Sequence, residues 1–196
     1  MNRTDLIATV KDYLNRTDLP DNTVGRWFDV VDGEVNRELV DHPRMVKRAT
    51  LLAVLGATTI PVPLNLLQMV NLRVGETPLV QFSPGARVQA AATPGAYIVN
   101  GACIDLFPPC TEDTAFVMDY AAAIDPLTAD NLQNWVSAYA PDVYLYGALR
   151  EAAIYLKDDA RLAVWDGLFR QYLDRTSRSG WGANYSTAPV VRVGYV

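Results

Sequence analysis

Histidine occurs once in these 196 residues and cysteine twice, a scarcity that removes most familiar site chemistry at once. His42 stands in Asp41-His42-Pro43, which reads as a loop with Pro43 opening the next segment. There is no Gly-x-Ser-x-Gly elbow to supply it with a nucleophile and no Gly-x-x-x-x-Gly-Lys loop to cradle a phosphate. Cys103 and Cys110 lie either side of a six-residue stretch containing Pro108 and Pro109, which fits no common zinc or thioredoxin-type spacing. They read as reduced, partly buried thiols. The adjacent acids Glu112-Asp113 and Asp158-Asp159 fall where a strand or helix begins, so capping or solvation accounts for them. The expectation is a protein without a catalytic site, a metal or a cofactor, and not an enzyme.

Long apolar runs are also missing. The longest candidate, Ala49 to Val70, is interrupted by threonines, Asn65, Gln68, Pro61 and Pro63. A membrane span needs about 20 predominantly apolar helical residues, and two prolines two apart disfavour that. Met1 to Val10 has no basic stretch followed by an apolar core, so a secretory signal is not expected. The protein reads as soluble and made in the cytoplasm. Cations are outnumbered, 17 Lys plus Arg against 22 Asp plus Glu, for a net charge of −5. Gripping nucleic acid depends on clustered cations, so that class is disfavoured. The deficit is sharpest from Val88 to Leu149, where no Lys, Arg or His occurs and the acids are Asp105, Glu112, Asp113, Asp119, Asp125, Asp130 and Asp142. Such a region repels nucleic acid at low salt.

What is present suits one domain. A chain of this length buries roughly 70% of its extended surface and needs no metal or disulfide. Thr4 to Arg16 predicts a first helix, capped by Thr4, with Leu6, Ile7, Val10, Tyr13 and Leu14 on one face. Asn22 to Val40 predicts a second, with Val24, Trp27, Phe28, Val31, Val35 and Leu39 on its stripe. The middle turns to strands. Leu72–Val74 and Leu79–Phe82 flank Gly75-Glu76-Thr77-Pro78 as a hairpin. Ser83-Pro84 opens a short helix to about Ala92. Ala96–Val99 and Ala102–Leu106 form a hairpin about Asn100-Gly101, a pair that supplies positive-φ residues. Thr114 to Ala123 alternates as a further strand. Asn134 to Tyr139 gives a short helix. Val143, Tyr146, Leu149, Ala153 and Leu156 then mark one long helix, and Leu162, Trp165, Phe169, Tyr172 and Leu173 another, joined closely enough to pack antiparallel. The fold class is α+β: N-terminal helices, a small antiparallel β-meander with an inserted short helix, a C-terminal antiparallel helix pair and an extended tail. Residues 1–176 read as a single domain.

After Thr176 the helical period stops. The residues from Ser177 to Val196 carry Arg178, Trp181, Tyr185, Arg192 and Tyr195 with Pro189-Val190-Val191, and Arg175 stands just before them. Arginine with aromatics is the mix enriched in protein–protein hot spots. Residues 177–196 are therefore expected to be a docking arm for a negatively charged partner surface.

The run Asp142-Val143-Tyr144-Leu145-Tyr146-Gly147-Ala148-Leu149-Arg150-Glu151-Ala152-Ala153-Ile154-Tyr155-Leu156-Lys157-Asp158-Asp159, continued by Trp165 and the Arg170-to-Ser179 end, resembles the C-terminal helical part of tailed-bacteriophage head-to-tail adaptor proteins, also called head completion or connector proteins. The order of elements upstream matches as well, so the resemblance covers roughly residues 3 to 180. It implies a structural virion protein at the neck, assembled in the host cytoplasm: a homo-oligomeric ring, twelve-fold like the portal beneath which it attaches. Such a ring encloses the DNA exit channel and offers its other surface to a tail or nozzle protein. It also implies that Arg175, Arg178, Trp181, Tyr185, Arg192 and Tyr195 dock on the portal. Asp105, Glu112, Asp113, Asp119, Asp125 and Asp130 would line a channel through which DNA slides without sequence-specific binding. The alternatives are another neck or tail-completion protein, or a small-ligand or peptide-binding α+β module with a preformed apolar pocket.

Overall fold

The computed structural model describes residues 1–179. Along them the helices are α1 (Arg3–Leu14), α2 (Asp21–Glu38), α3 (Arg87–Ala91), α4 (Trp135–Tyr139), α5 (Pro141–Leu156) and α6 (Asp159–Ser179). The strands are β1 (Val46–Ala53), β2 (Thr59–Pro61), β3 (Leu66–Val74), β4 (Thr77–Pro78), β5 (Val80–Phe82), β6 (Ala96–Asn100), β7 (Cys103–Phe107) and β8 (Thr114–Ala122). The chain divides into two compact units, one made of Met1–Arg44 together with the part from Ile124 onward, the other of Met45–Ala123. Helices alone and strands with one short helix thus segregate, as the α+β reading expects.

In the helical unit, α1 is capped by Asn2, two residues before the expected Thr4. The Asn2 side chain accepts a hydrogen bond from the Asp5 backbone N–H at 2.8 Å, and Asp5 reaches back to the Asn2 N–H, a reciprocal cap that Thr4 cannot make. Leu6, Ile7, Val10 and Leu14 are buried, but Tyr13, expected beside them, is half exposed. Along α2 the buried set is the expected one with Gly25 and Asp32 added, and Leu39 just past its end is buried too. Helix α5 is buried on more than one side, since α1, α2, α4 and α6 all pack against it. Gly147 lies where these helices come closest: a Cβ there would sit 2.5 Å from Val31 Cγ2 and 3.1 Å from Phe169 Cε2. Lys157 takes a left-handed conformation that ends α5, and Asp158 caps α6 by accepting from the Arg161 N–H. Helix α6 runs on through Ser177, Arg178 and Ser179, past the point where the apolar period fades.

Polar contacts close this unit across its two distant chain segments. Met1 donates its terminal amine to the Ser137 carbonyl at 2.7 Å, and Arg3 N–H to the Leu132 carbonyl at 2.7 Å. At the centre, the buried Asn134 amide donates to the Tyr144 hydroxyl at 2.7 Å, and that hydroxyl donates to Asp32 Oδ1. The other oxygen, Asp32 Oδ2, is buried without a partner. Burial outweighs the Tyr144 hydrogen bond and lifts the Asp32 carboxyl to about 6.

The strand unit holds two four-stranded sheets, ordered β1-β8-β3-β4 and β2-β7-β6-β5. Every pairing is antiparallel except β5 with β6. Phe116, Met118, Tyr120 and Ala122 alternate inward from β8 as expected, meeting Ile60, Leu72, Tyr97 and Ile104. Two details of the expected meander change. The return strand of the first hairpin is only Thr77–Pro78. Pro78 has no N–H to extend a ladder, and the chain crosses at Leu79 so that Val80–Phe82 joins the other sheet, parallel to β6. In the second hairpin Asn100 pairs with Cys103, so the turn residues are Gly101 and Ala102, one later than expected. Gly101 has φ +60°, which glycine adopts without strain. Both cysteines are free, Cys110 buried and Cys103 half-buried.

Two substitutions test this account. Gly147→Ala gains helix propensity of about 1 kcal/mol but drives a methyl into Val31 and Phe169, and overpacking costs about 1–3 kcal/mol. Urea unfolding is expected to show a net loss of up to about 2 kcal/mol with an unchanged slope. Asp32 binds its proton more tightly folded than unfolded, so its contribution is fully present below pH 4 and is lost as pH rises through about 6. Asp32→Asn should remove this loss. Plotted against pH, the stability difference between variant and wild type should grow in the variant's favour by up to about 3 kcal/mol between pH 4 and 7, and a flat difference would contradict it.

Candidate functional site

The sequence reading put the docking residues at the C-terminal end of the chain. Of these, Arg175 and Arg178 are described, whereas Trp181, Tyr185, Arg192 and Tyr195 lie outside the described residues. Arg178 is tied to Asp174 at 2.9 Å, one helical turn away. Arg175 is not in an ion pair among the described residues. Its guanidinium lies 5.4 Å from the centre of the Tyr172 ring. Tyr172 in turn stacks on Tyr146 of α5, with ring centres 5.3 Å apart and planes 10° from parallel. Burial first, then the neighbouring phenols of Tyr13 and Tyr172, pushes Tyr146 above the ordinary phenol range. A row Tyr13, Tyr146, Tyr172, Arg175 therefore runs across α1, α5 and α6. The helical periods place all three tyrosines on core stripes. The missed signal is that each lies at the edge of its stripe, where a large ring with a polar tip stays wet.

Of the six acids of the expected channel surface, Asp105, Glu112, Asp113 and Asp119 belong to the strand unit and Asp125 and Asp130 to the helical unit. Asp119 is held by Arg48 at 2.6 Å, and the guanidinium lowers its carboxyl below the usual range. Asp105 is buried and held by Arg87 at 2.9 Å. Asp113 accepts from the Leu55 N–H at 2.8 Å. Glu112 is exposed in the strand unit, and Asp125 and Asp130 are exposed in the helical unit. The neutralising arginines come from outside the cation-free window, which is why a local count missed them.

The densest charge cluster was not foreseen. Arg150 projects from α5, 11% exposed, and forks onto both carboxylate oxygens of Glu34. It also contacts Glu151 at 2.8 Å and Asp166 at 3.6 Å, and lies 4.6 Å from the centre of the Phe169 ring. Beside it opens a groove of about 400 Å³ lined by Glu34, Glu38, Arg150, Phe169, Arg170 and Asp174. Each of its arginines has a carboxylate partner. The lone histidine is structural: His42 is buried, stacks 4.9 Å from Trp135, and accepts the Arg44 N–H on Nδ1 at 3.1 Å. Burial and Arg44 hold it below its ordinary range. Arg44 itself covers Tyr139 at 4.3 Å. Among the described residues no cluster of three or more His, Cys, Asp and Glu could hold a metal, and no helix is long and apolar enough to cross a membrane.

What this geometry offers is contact surface: an aromatic row ending in an arginine, and paired charges. Such surface suits a structural protein that works by joining others. The family comparison places it further. The model of the SU10 adaptor protein family matches residues 1–193, and the chain belongs to that family of phage head-to-tail adaptors. No curated protein matches the chain. The protein is thus a bacteriophage structural protein with a head-to-tail adaptor role, a component of the virion neck.

Arg150→Met should show how far the helical unit depends on its charge cluster. Removing one partner of a largely buried network strands Glu34 and Glu151 while Asp166 keeps Arg170, a loss of about 3 kcal/mol by chemical unfolding. The loss should shrink when Glu34 is also changed to Gln. If the two changes simply add, the carboxylates are not coupled through Arg150.

Proposed function

We propose that this adaptor assembles as a homo-oligomeric ring beneath the portal, twelve-fold like the portal, enclosing the DNA exit channel and presenting its far side to a tail or nozzle protein. The observation that carries this reading is the match to the SU10 adaptor protein family over nearly the whole chain. The C-terminal segment 177–196, with Arg175 before it, acts as the docking arm. A guanidinium stacked on tyrosine, and without a carboxylate partner among the described residues, keeps both its charge and its donors for a partner surface. The net charge of −5 supports a channel that does not hold DNA. The carboxylates outside ion pairs, Glu112 and Asp130 among them, would contribute most, and Asp105 and Asp119 least.

The test is to mix the protein with the portal encoded in the same genome and read mass and symmetry by native mass spectrometry and electron microscopy. A stoichiometric ring on the portal is expected, and two folded partners that stay apart would overturn the reading. Replacing Arg175 and Arg178 by Glu should weaken docking, more so at low salt. Unchanged affinity would assign docking to other residues. Duplex DNA should bind poorly at moderate salt, and tight binding would contradict the non-adhesive channel.

A further inference from the structure

The strand unit carries an apolar pocket at one end and an exposed apolar side chain at the other. The pocket, about 310 Å³, opens where the chain crosses between the sheets at Leu79, and its walls include Val74, Val80, Leu106, Phe107 and Phe116. None of its lining residues carries a formal charge. Its volume is near the lower limit of about 300 Å³ for small-molecule sites, sized for one or two side chains. The turn after β1 extends this surface: Gly56 N–H bonds to the carbonyl of Cys110, which lines the pocket, at 2.7 Å, and Val54 and Leu55 beside it are 68% and 67% exposed.

At the opposite end, Leu64 stands fully exposed in the turn Val62-Pro63-Leu64-Asn65. The turn is fixed, not floppy. Pro61 and Pro63 restrict it, Val62 N–H bonds to the Ala102 carbonyl at 3.0 Å, and Leu66 N–H to the Pro63 carbonyl at 3.1 Å. Strand β3 separates the two features: Leu66 pairs with Ala122 beside the turn, and Val74 pairs with Phe116 at the pocket. Nine strand residues put them on the order of 25 Å apart, so one copy cannot satisfy its own pocket.

We propose that the Leu64 turn of one copy seats in the Val74–Phe116 pocket of the next, forming the head-to-tail contact of the ring. This rests on the ring reading above and names its subunit interface. Three considerations choose a second copy as the occupant. A knob and a socket on unlike faces of one chain make a heterologous contact, the kind that closes rings. Turn and pocket are both free of charge, so neither strands an ion on docking, as an acidic or basic partner segment would. A single turn on a pocket rim buries only a few hundred Å², far below the roughly 1,200 Å² of a stable pair. Copies therefore stay apart in solution and meet only when a portal holds them side by side.

The test places a benzophenone amino acid at position 64 of the full chain and irradiates it twice, once in concentrated protein alone and once with the portal. Peptide mapping is expected to find the cross-link in residues 74–80 or 106–116 of another copy, strongly enriched with the portal. Val80→Lys, at a half-exposed position on the pocket wall, should reduce that product at least tenfold while leaving the folded-state spectrum unchanged. A ring that forms on the portal without this cross-link, or with position 64 joined elsewhere, overturns the inference and leaves the ring reading standing. No ring, with the cross-link present in concentrated protein, keeps the contact and removes the ring reading. No cross-link in either sample overturns the contact whatever the portal does.

Discussion

The Tyr144 hydroxyl, held between the Asn134 amide and the Asp32 carboxylate, is the contact on which the helical unit turns. That unit is built from two stretches of chain separated by the whole strand unit. Apolar stripes bring α2 and α5 together, but apolar surfaces slide at little cost. A buried hydroxyl that must both accept and donate has one satisfactory position, so the network sets register. Arg150 on Glu34 repeats the device one face further along the same pair of helices. The carboxylates therefore sit on α2 and their partners on α5, so that neither segment is satisfied alone. The orphaned Asp32 oxygen is the cost of that specificity.

The strand unit solves the complementary problem. Its chain must leave and re-enter at neighbouring points, Met45 and Ala123. Strand β8 does this by lying between β1 and β3, pairing Val46 with Ala121 and Leu66 with Ala122, so the last strand is central to its sheet. Two register shifts in β3, at Leu67 and Val70, break strict alternation. They leave those two side chains outside while Met69 and Leu72 face the core. The price of so short a β4 is an open seam at Leu79, and the apolar pocket lies there.

The elements with strong local signals were legible in the sequence. Both N-terminal helices, the hairpin at Gly101, the alternating β8 and the helix pair follow from periodicity and turn chemistry to within a few residues. What local reading could not supply was pairing. Strand β1 hides its alternation: Ala49, Leu51 and Ala53 face the core, but the equally apolar Leu52 is exposed, and the partner strand β8 lies some seventy residues on. The parallel β5–β6 pair is equally invisible, since it depends on a sheet crossing at a proline. For the candidate site, Arg175 was legible as arginine beside aromatics, but its stacking partners were not. Tyr146 and Tyr172 fit a core stripe as well as a surface row, and only the third helix, bringing Tyr13, decides between them.

The same limit governs the electrostatics. A window without a cation is acidic as counted along the chain, but the fold pairs part of that charge. In the fold, Asp119 meets Arg48 across adjacent strands and Asp105 meets Arg87 across a short helix, both arginines lying before the window. These exposed-arginine pairs add little stability, yet they remove two carboxylates from the far field. The long-range potential is then set by the acids without partners together with the net charge. In the proposed channel, which is to pass DNA without holding it, that division would be useful. Structural carboxylates serve register and capping, and the remainder would supply a diffuse repulsion that needs no particular geometry and tolerates rotation or sliding of the duplex.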